Sequence, residues 1–221
     1  MSLSDFRPLF WKLRRVVGVD QRIFLFVFSV FLLLGCKSEQ NEAGATESAV
    51  LPADPFIVVL GTVQDAGIPQ LGCEKACCQP YQETRDPDLN VVALGLIDPS
   101  TRENYLFEAT PDINRQLTII NSYVQSDNFV LPNGILLTHA HMGHYTGLMQ
   151  LGREAINADS VPVYSMPRMK SFLEQNGPWD QLLSLSNIVL RELQNEQAVV
   201  LNERLRVAPI EVPHRDEYSE T

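Results

Sequence analysis

The pattern of apolar and polar positions predicts strands at the start of the folded part of the chain. A β-branched run at residues 56–63, FIVVLGTV, predicts a buried strand, and a loop rich in Gly, Pro and Cys follows it. Two further apolar runs, VVALGLID at 91–98 and NYLFEAT at 104–110, flank the turn-rich PSTRE and predict a β-hairpin. The pattern therefore places several strands before the first helix.

Helical spacing of apolar residues begins after this hairpin. Three segments predict helices: INRQLTIINSYV (113–124), YTGLMQLGREAI (145–156) and RMKSFLEQN (168–176). Short apolar runs predict further strands: GILLT (134–138), VPVYS (161–165), NIVLREL (187–193), QAVVLN (197–202) and RLRVAPIEV (204–212). The order of strands, then alternating strands and helices, then strands predicts an α/β layered fold with mixed sheets.

The N-terminal part of the chain has a different pattern. Basic residues within 1–22 precede 13 uncharged residues at 23–35, IFLFVFSVFLLLG, a length that suits the core of a signal peptide, whereas a membrane-spanning helix needs about 20 residues. The run ends in LLGC, which resembles a bacterial lipobox. This resemblance implies that residues 1–36 are a lipoprotein signal peptide ending at the lipidated Cys36. The alternative is a short membrane anchor with an incidental cysteine.

The segment after the lipobox predicts a tether and a location. Residues 37–55 are small, polar and acidic without an apolar period, which predicts a flexible tether, and the folded domain is expected at 56–221. Lys37 gives no acidic retention signal. We therefore expect a lipid-anchored, periplasm-facing protein of the bacterial cell envelope, on the outer membrane where two membranes are present.

The charge pattern argues against one class of partner. The formal net charge is −10, and residues 1–36 hold five basic and two acidic residues, which leaves 12 basic and 25 acidic residues in the rest of the chain. Such an acidic body repels nucleic-acid phosphates. We expect a small-molecule substrate, attachment to a membrane through the lipid anchor, and no nucleic-acid partner.

Three of the four histidines lie within six residues, directly after a predicted strand. His139 and His141 share a tight loop, His144 follows three residues later, and His214 ends another apolar strand. Imidazole nitrogens are preferred ligands of zinc, and an open coordination position suits catalysis, although other divalent metals also bind such sets. The alternative is a set of surface or capping histidines. The spacing favours a metal site.

The histidine segment resembles the metallo-β-lactamase fold, whose hallmark is His-x-His-x-Asp-His after a buried strand. Here His139, His141 and His144 match the histidines, and Gly143 stands at the Asp position. More narrowly, the chain resembles the pyrroloquinoline quinone biosynthesis protein B branch in LGTVQDAGIPQLGC, ATPDINRQ, THAHMGHYTGLMQLGREA, VPVYSMPRM, NGPW and VPHRDEYSET. The resemblance implies an αββα sandwich with mixed sheets and a domain whose C-terminal part is missing.

The resemblance also implies roles for individual residues. His139, His141 and His214 match the ligands of a first metal, and His144 matches a ligand of a second. Gly143 has no side chain to coordinate, so the second metal is expected to bind weakly or not at all.

Carboxylates near these histidines are weaker candidates. Asp216 or Glu217, close to His214, is a candidate replacement for the missing carboxylate, although acidic loop residues are usually solvated. Glu108 is expected to buttress the histidine loop, and Asp112 to cap a helix.

The remaining cysteines form a second candidate site. Cys73, Cys77 and Cys78 lie in one loop, CEKACC. The resembling branch has a cysteine-rich loop that looks like a zinc site, so we expect a structural zinc on these thiolates with a fourth ligand from elsewhere. One disulfide with an odd thiol, or three free thiols, are the alternatives.

Two functions are compatible with these observations. The first is a metal-dependent hydrolase of the metallo-β-lactamase fold, with a link to pyrroloquinoline quinone biosynthesis implied by the resemblance. The second is a lipid-tethered carrier of metal or a small molecule that has lost catalysis, which the glycine at the motif's Asp position favours.

Overall fold

The computed structural model describes residues 51–83, 86, 88–215 and 217–220. The predictions for Cys36, for the signal peptide, for most of the tether and for Asp216 lie outside the described residues. Within these ranges no helix combines the length and apolar character needed to cross a bilayer.

A six-stranded mixed sheet forms the centre of the fold. Its strands are β1 (Phe56–Gly61), β2 (Ala93–Asp98), β3 (Glu103–Phe107), β4 (Gly134–Leu136), β5 (Val161–Ser165) and β6 (Ile188–Glu192), in that spatial order. β1, β2 and β3 are antiparallel neighbours, and β3 to β6 are parallel. Two further strands, β7 (Val199–Val200) and β8 (Arg206–Val207), form an antiparallel pair. The predicted hairpin and the mixed α/β class are confirmed.

Short helices cover the sheet. They are α1 (Pro80–Glu83), α2 (Ile113–Tyr123), α3 (Met142–Tyr145), a 3₁₀ helix (Thr146–Leu151), α4 (Pro167–Gln175) and α5 (Trp179–Ser184). α2 buries Ile113, Leu117 and Ile120, which the 3.6-residue period places on one face. A Cβ on Gly95 of β2 would lie 3.0 Å from Ile120 Cγ1, so this face packs closely on the sheet.

The N-terminus of α2 is held by longer-range hydrogen bonds. Asp112 occupies the N-cap position without a capping bond, and its Oδ2 instead accepts from Val91 N at 2.9 Å. The buried amide of Gln116 donates to Val91 O at 2.7 Å and accepts from Thr110 Oγ1 at 2.7 Å. The expected cap is therefore replaced by a bond that ties α2 to the start of β2.

β1 corrects the prediction of a buried strand. It lies at the edge of the sheet, and the side chains of Ile57 and Val59 are each 62% exposed, whereas Leu60 is buried. An unbroken β-branched run resembles a strand buried on both faces, but here only the face that carries Val58 and Leu60 packs against the core.

The helix predicted at 145–156 also differs. α3 ends at Tyr145, and the chain continues as a 3₁₀ helix to Leu151. Gly147 lies so close to the segment after β3 that a Cβ would be 2.1 Å from Thr110 O, and its N–H donates to Ala109 O at 2.8 Å. This backbone contact takes the place of continued α-helical pairing.

The parallel strands define where a site can form. The core between sheet and helices includes Leu106, Ile135 and Val163 from neighbouring strands. Because β3, β4 and β5 run parallel, their carboxyl ends share one edge, and the segments after them meet there. In open α/β sheets this edge is the usual place for a ligand site.

Candidate metal centre

The structure brings three of the predicted histidines into one cluster. His139 Nε2 lies 3.0 Å from His141 Nδ1, and His214 Nε2 lies 3.4 Å from the same atom. One ligand atom from each of these residues lies within 4.8 Å of the others. His139 is buried, His141 is half-buried and His214 is exposed, so the cluster opens to solvent on one side.

These separations fit a single divalent ion. Zinc–nitrogen bonds of about 2.0–2.1 Å at a tetrahedral angle place two ligand atoms roughly 3.3 Å apart. Two pairs of nitrogens in the cluster, at 3.0 and 3.4 Å, bracket this value. The ring nitrogen of His141 that faces the other two histidines is Nδ1, the atom from which both distances are measured. Three convergent imidazoles with one open side are the donor set of a zinc site.

His139 is oriented by the residue before it. Thr138 Oγ1 lies 2.7 Å from His139 Nδ1, and Thr138 also donates to the carboxyl of Glu108. A hydroxyl that donates to Glu108 is free to accept from Nδ1–H, which leaves the lone pair on His139 Nε2 directed at the cluster. Such outer contacts fix the tautomer of metal-binding histidines.

Glu108 lies beneath the histidine segment. It is 6% exposed and adopts a left-handed backbone with φ 75° at the end of β3, and Oε2 lies 3.6 Å from His144 Nδ1. Burial raises the pKa of Glu108 to about 8, with the hydrogen bonds from Thr138 acting in the opposite direction. The expected buttress is therefore in contact with two residues of the histidine segment.

Replacing Glu108 by Gln should flatten the pH dependence of stability of the metal-free chain. The pKa of Glu108 is about 8 in the folded chain and 4.5 ordinarily. Its stabilising contribution is therefore complete below the lower value and is lost as the pH rises through the higher one. Glutamine does not ionise, so Glu108→Gln should gain stability relative to wild type between about pH 5 and pH 8.

Urea unfolding at about pH 5 and pH 8 gives the free energy of unfolding of Glu108→Gln and of wild type at each pH. The exposed Glu174 provides a matched control, since Glu174→Gln should follow the wild-type slope. A constant offset between Glu108→Gln and wild type at the two pH values would contradict the prediction.

His144 is held beside the cluster rather than within it. Its ring centroid is 4.4 Å from that of His139, and Ala109 N donates to its carbonyl oxygen at 2.8 Å. Burial is the main cause that lowers the pKa of His144, and the charge of Asp65 acts in the opposite direction. His144 is thus favoured in the neutral form that a metal requires.

The segment that carries His214 is fixed by two residues that sequence analysis did not single out. Ser219 is 1% exposed, and its Oγ accepts from Ala140 N at 2.7 Å. Glu220 accepts from the backbone N–H groups of Arg168 (2.8 and 3.0 Å) and Met169 (3.3 Å) at the start of α4. A carboxylate at a helix N-terminus satisfies free N–H groups there and complements the helix dipole.

Removing the Ser219 hydroxyl should loosen this attachment. Ser219→Ala would leave the Ala140 N–H buried without this acceptor, which costs about 1–3 kcal/mol of stability. Because the bond holds the His214 segment to the histidine loop, zinc affinity should fall as well. Urea unfolding and zinc titration measure both effects. Ser184→Ala, at an exposed serine, is the control, and equal behaviour of the two variants would refute the assignment.

Asp65 is a further acidic residue at the site that the sequence did not indicate. Its Oδ2 lies 4.0 Å from His141 Nδ1, and its side chain is 41% exposed. Its backbone lies directly over Gly143, since a Cβ on that glycine would be 2.3 Å from Asp65 O. The glycine in the motif therefore makes room for another segment of the chain.

The three cysteines do not form the expected zinc site. Cys73 and Cys78 are joined in a disulfide with a Cα–Cα distance of 6.1 Å, and Cys77 is exposed with a free thiol. A structural zinc needs four ligands, and a single remaining thiolate cannot supply them. The loop takes the disulfide alternative, and Gln82 Nε2 donates to Cys73 O at 2.7 Å within it.

An apolar cavity borders the cluster. Its volume is about 490 Å³, and its lining includes Phe107, Leu136 and Met166 together with His139 and His214. The segment 207–212 also lines the cavity. The candidate metal centre thus has a largely apolar cavity beside His139 and His214, and the Asp65 carboxylate near His141.

The fold and the cluster together define an α/β protein with a candidate metal centre at the carboxyl ends of parallel strands. A family model described as a beta-lactamase superfamily domain matches residues 103–221, which is more than half of the chain and includes all four histidines. The chain belongs to the beta-lactamase superfamily and has the metallo-β-lactamase fold. No curated protein matches it significantly.

Two solved structures share the fold. Zinc-bound PqqB from Methylobacterium extorquens superposes with a TM-score of 0.58 at 19% identity, covering 75% of this chain and 58% of that one. A diphosphatase from the PhnP family gives 0.54 at 18% identity, covering 75% and 60%. The chain therefore spans about three fifths of the length of these structures. The resemblance inferred from the motifs is confirmed at the level of fold.

Proposed function

We propose that this protein is a metal-dependent hydrolase in which His139, His141 and His214 hold the catalytic ion, with zinc as the expected metal. The observation that carries the proposal is the convergence of three imidazole nitrogens within 4.8 Å on an open side of the fold. When bound at such a site, zinc supplies Lewis acidity for attack of water on a carbonyl or phosphoryl centre.

The chain's own residues have distinct tasks in this proposal. Thr138 and Glu108 hold the ring of His139 in the tautomer that binds metal. Ser219 keeps the segment of His214 against the histidine loop. The exposed side at His214 leaves room for a small-molecule substrate, and the apolar cavity borders the same residue.

Turnover by the full chain tests the proposal. Chelator-stripped and zinc-reloaded protein is assayed on carboxylic esters, phosphodiesters and diphosphate esters, the last class being suggested by the diphosphatase of similar fold. At least one class should be hydrolysed, with activity lost on stripping, restored by zinc, and absent in His141→Ala. Tight zinc binding without turnover on any class would overturn hydrolysis and favour the metal-carrier alternative.

We also propose a more specific role, a link to pyrroloquinoline quinone biosynthesis. The motif resemblance and the fold shared with PqqB support it, whereas the expected location outside the cytoplasm argues against a cytosolic biosynthetic step. A deletion strain whose growth on a quinoprotein-dependent carbon source is restored by added quinone would support the link. Unimpaired growth of that strain would refute it.

Attachment to the cell envelope is likewise proposed, on the strength of LLGC after an uncharged apolar run. Cys36→Ala should leave the precursor uncleaved and unlabelled by a fatty-acid probe, and should remove the protein from the outer-membrane fraction. Equal labelling of the variant and wild type would show that Cys36 is not the lipidated residue.

A further inference from the structure

Asp65 is placed at the cluster by a rigid turn in the loop after β1. Gly67 N donates to Gln64 O at 2.9 Å, and the Gln64 side chain bonds to Ala66 N (3.0 Å) and Gly67 O (2.8 Å). Gly67 has φ +76°, which glycine adopts without strain. Asp65 lies inside this turn, so its position is set by the loop's own hydrogen bonds.

The turn is also packed against the histidine segment. A Cβ on Gly143 would lie 2.3 Å from Asp65 O, 2.5 Å from Asp65 Cβ and 2.6 Å from Asp65 Cα. Only a glycine permits this approach of two backbones. The glycine at position 143 therefore lets the backbone of Asp65 lie directly against the histidine segment.

The carboxylate faces two histidines. Its Oδ2 is 4.0 Å from His141 Nδ1, and its charge acts on the half-buried ring of His144. His144 turns its Nδ1 edge towards Glu108 at 3.6 Å, which leaves Nε2 as the nitrogen on the other edge of the ring. A carboxylate oxygen and a neutral imidazole are both ligands of zinc.

The distances show that Asp65 and His144 lie outside the cluster of His139, His141 and His214. The ligand atoms that all lie within 4.8 Å of one another belong to His139, His141 and His214, and neither Asp65 nor His144 joins that set. Paired catalytic ions lie about 3.5–4 Å apart, so the ligands of a second ion are expected close beside those of the first. Asp65 Oδ2 lies 4.0 Å from His141 Nδ1, which places the carboxylate directly beside the three-histidine position.

We propose that Asp65 is the carboxylate ligand of a second divalent ion, which it holds together with His144 beside the three-histidine position. The inference rests on the metal centre of the proposed function and extends it by a residue from outside the histidine motif. Since only these two side chains are assigned to it, the second ion should bind more weakly than the first.

Zinc titration of the metal-free full chain tests the inference. Equilibrium dialysis with elemental analysis gives the number of ions and their affinities, with the Cys73–Cys78 disulfide kept oxidised so that the cysteine loop contributes little. Wild type should bind two ions of unequal affinity. Asp65→Asn and Asp65→Ala should weaken the second at least about tenfold and keep the first, and the retained first ion shows that the variants are folded.

Glu74→Gln is the matched control, because it removes one negative charge from an exposed position of the neighbouring cysteine loop. It should bind both ions as wild type does. An unchanged second ion in Asp65→Asn, or a single ion in wild type, would overturn the role of Asp65 while leaving the three-histidine site and the proposed hydrolase intact. A wild-type chain that binds no zinc would overturn both.

Discussion

Replacing His214 by alanine should abolish tight zinc binding. His214 is one of the three residues whose nitrogens lie within 4.8 Å, and two remaining imidazoles hold zinc poorly. Loss of an outer-shell partner of a metal ligand costs about 10–100-fold in affinity, so loss of a direct ligand should exceed about 100-fold. Competition with a chromophoric chelator measures the affinity of the tightest site in the metal-free chain.

His144→Ala is the matched control for this result. It removes an imidazole from the same segment but lies outside the group of three, so the tight site should keep its affinity within a few-fold. Loss of the tight ion in His144→Ala, with His214→Ala unaffected, would show that the ligands are wrongly assigned. His141→Ala should behave as His214→Ala does.

Gly143→Ala should destabilise the chain and disturb the site together. The added Cβ would be 2.3 Å from a backbone oxygen of Asp65, so the loop after β1 must move. Overpacking costs about 1–3 kcal/mol, occasionally more, and the better helix propensity of alanine returns at most about 1 kcal/mol. We expect a net loss of about 2 kcal/mol by urea unfolding, together with weaker zinc binding.

Gly152→Ala provides the comparison. A Cβ there would approach Leu182 Cδ2 and Met149 O at 3.2 Å, a milder contact, so its cost should be clearly smaller. Equal stabilities of the two variants would show that the approach of Asp65 to Gly143 is not tight. Gly143→Asp, which restores the carboxylate typical of the motif, should likewise lower zinc binding, because its Cβ would collide with the backbone of Asp65.

Local pattern was sufficient for most of the fold. The hairpin of β2 and β3, helix α2 and strand β4 follow from period, turn residues and apolar runs, all of which are properties of neighbouring residues. The exposure of Ile57 and Val59 in β1 is not predicted, because the run FIVVLG does not encode which face of the strand the rest of the chain covers. The helix predicted at 145–156 differs in the structure because Gly147 lies against Thr110. This contact, between residues far apart in sequence, takes the place of α-helical hydrogen bonds.

The candidate site, like the fold, is predicted from the sequence only where neighbouring residues determine it. The sequence predicts the histidine cluster, because His139 and His141 follow the apolar run at 134–138 and His214 follows the apolar run at 204–212, although only Arg206–Val207 of the second run forms a strand. Ser219 and Glu220 act on residues 79 and 52 positions away, and Asp65 acts through the close approach of its backbone to Gly143. In the sequence the glycine alone predicts a missing ligand, whereas in the structure it makes room for the backbone of Asp65.

The separation of the ligands along the chain has a consequence for how the domain unfolds. His141 and His214 are 73 positions apart, yet their nitrogens lie 3.4 Å from each other. A covalent cross-link closing a loop of this length removes about 4 kcal/mol of chain entropy from the unfolded state in the simple loop-closure treatment. An ion shared by these residues would act as a reversible cross-link, so the survival of the fold under heat or protease would track free zinc in the surroundings.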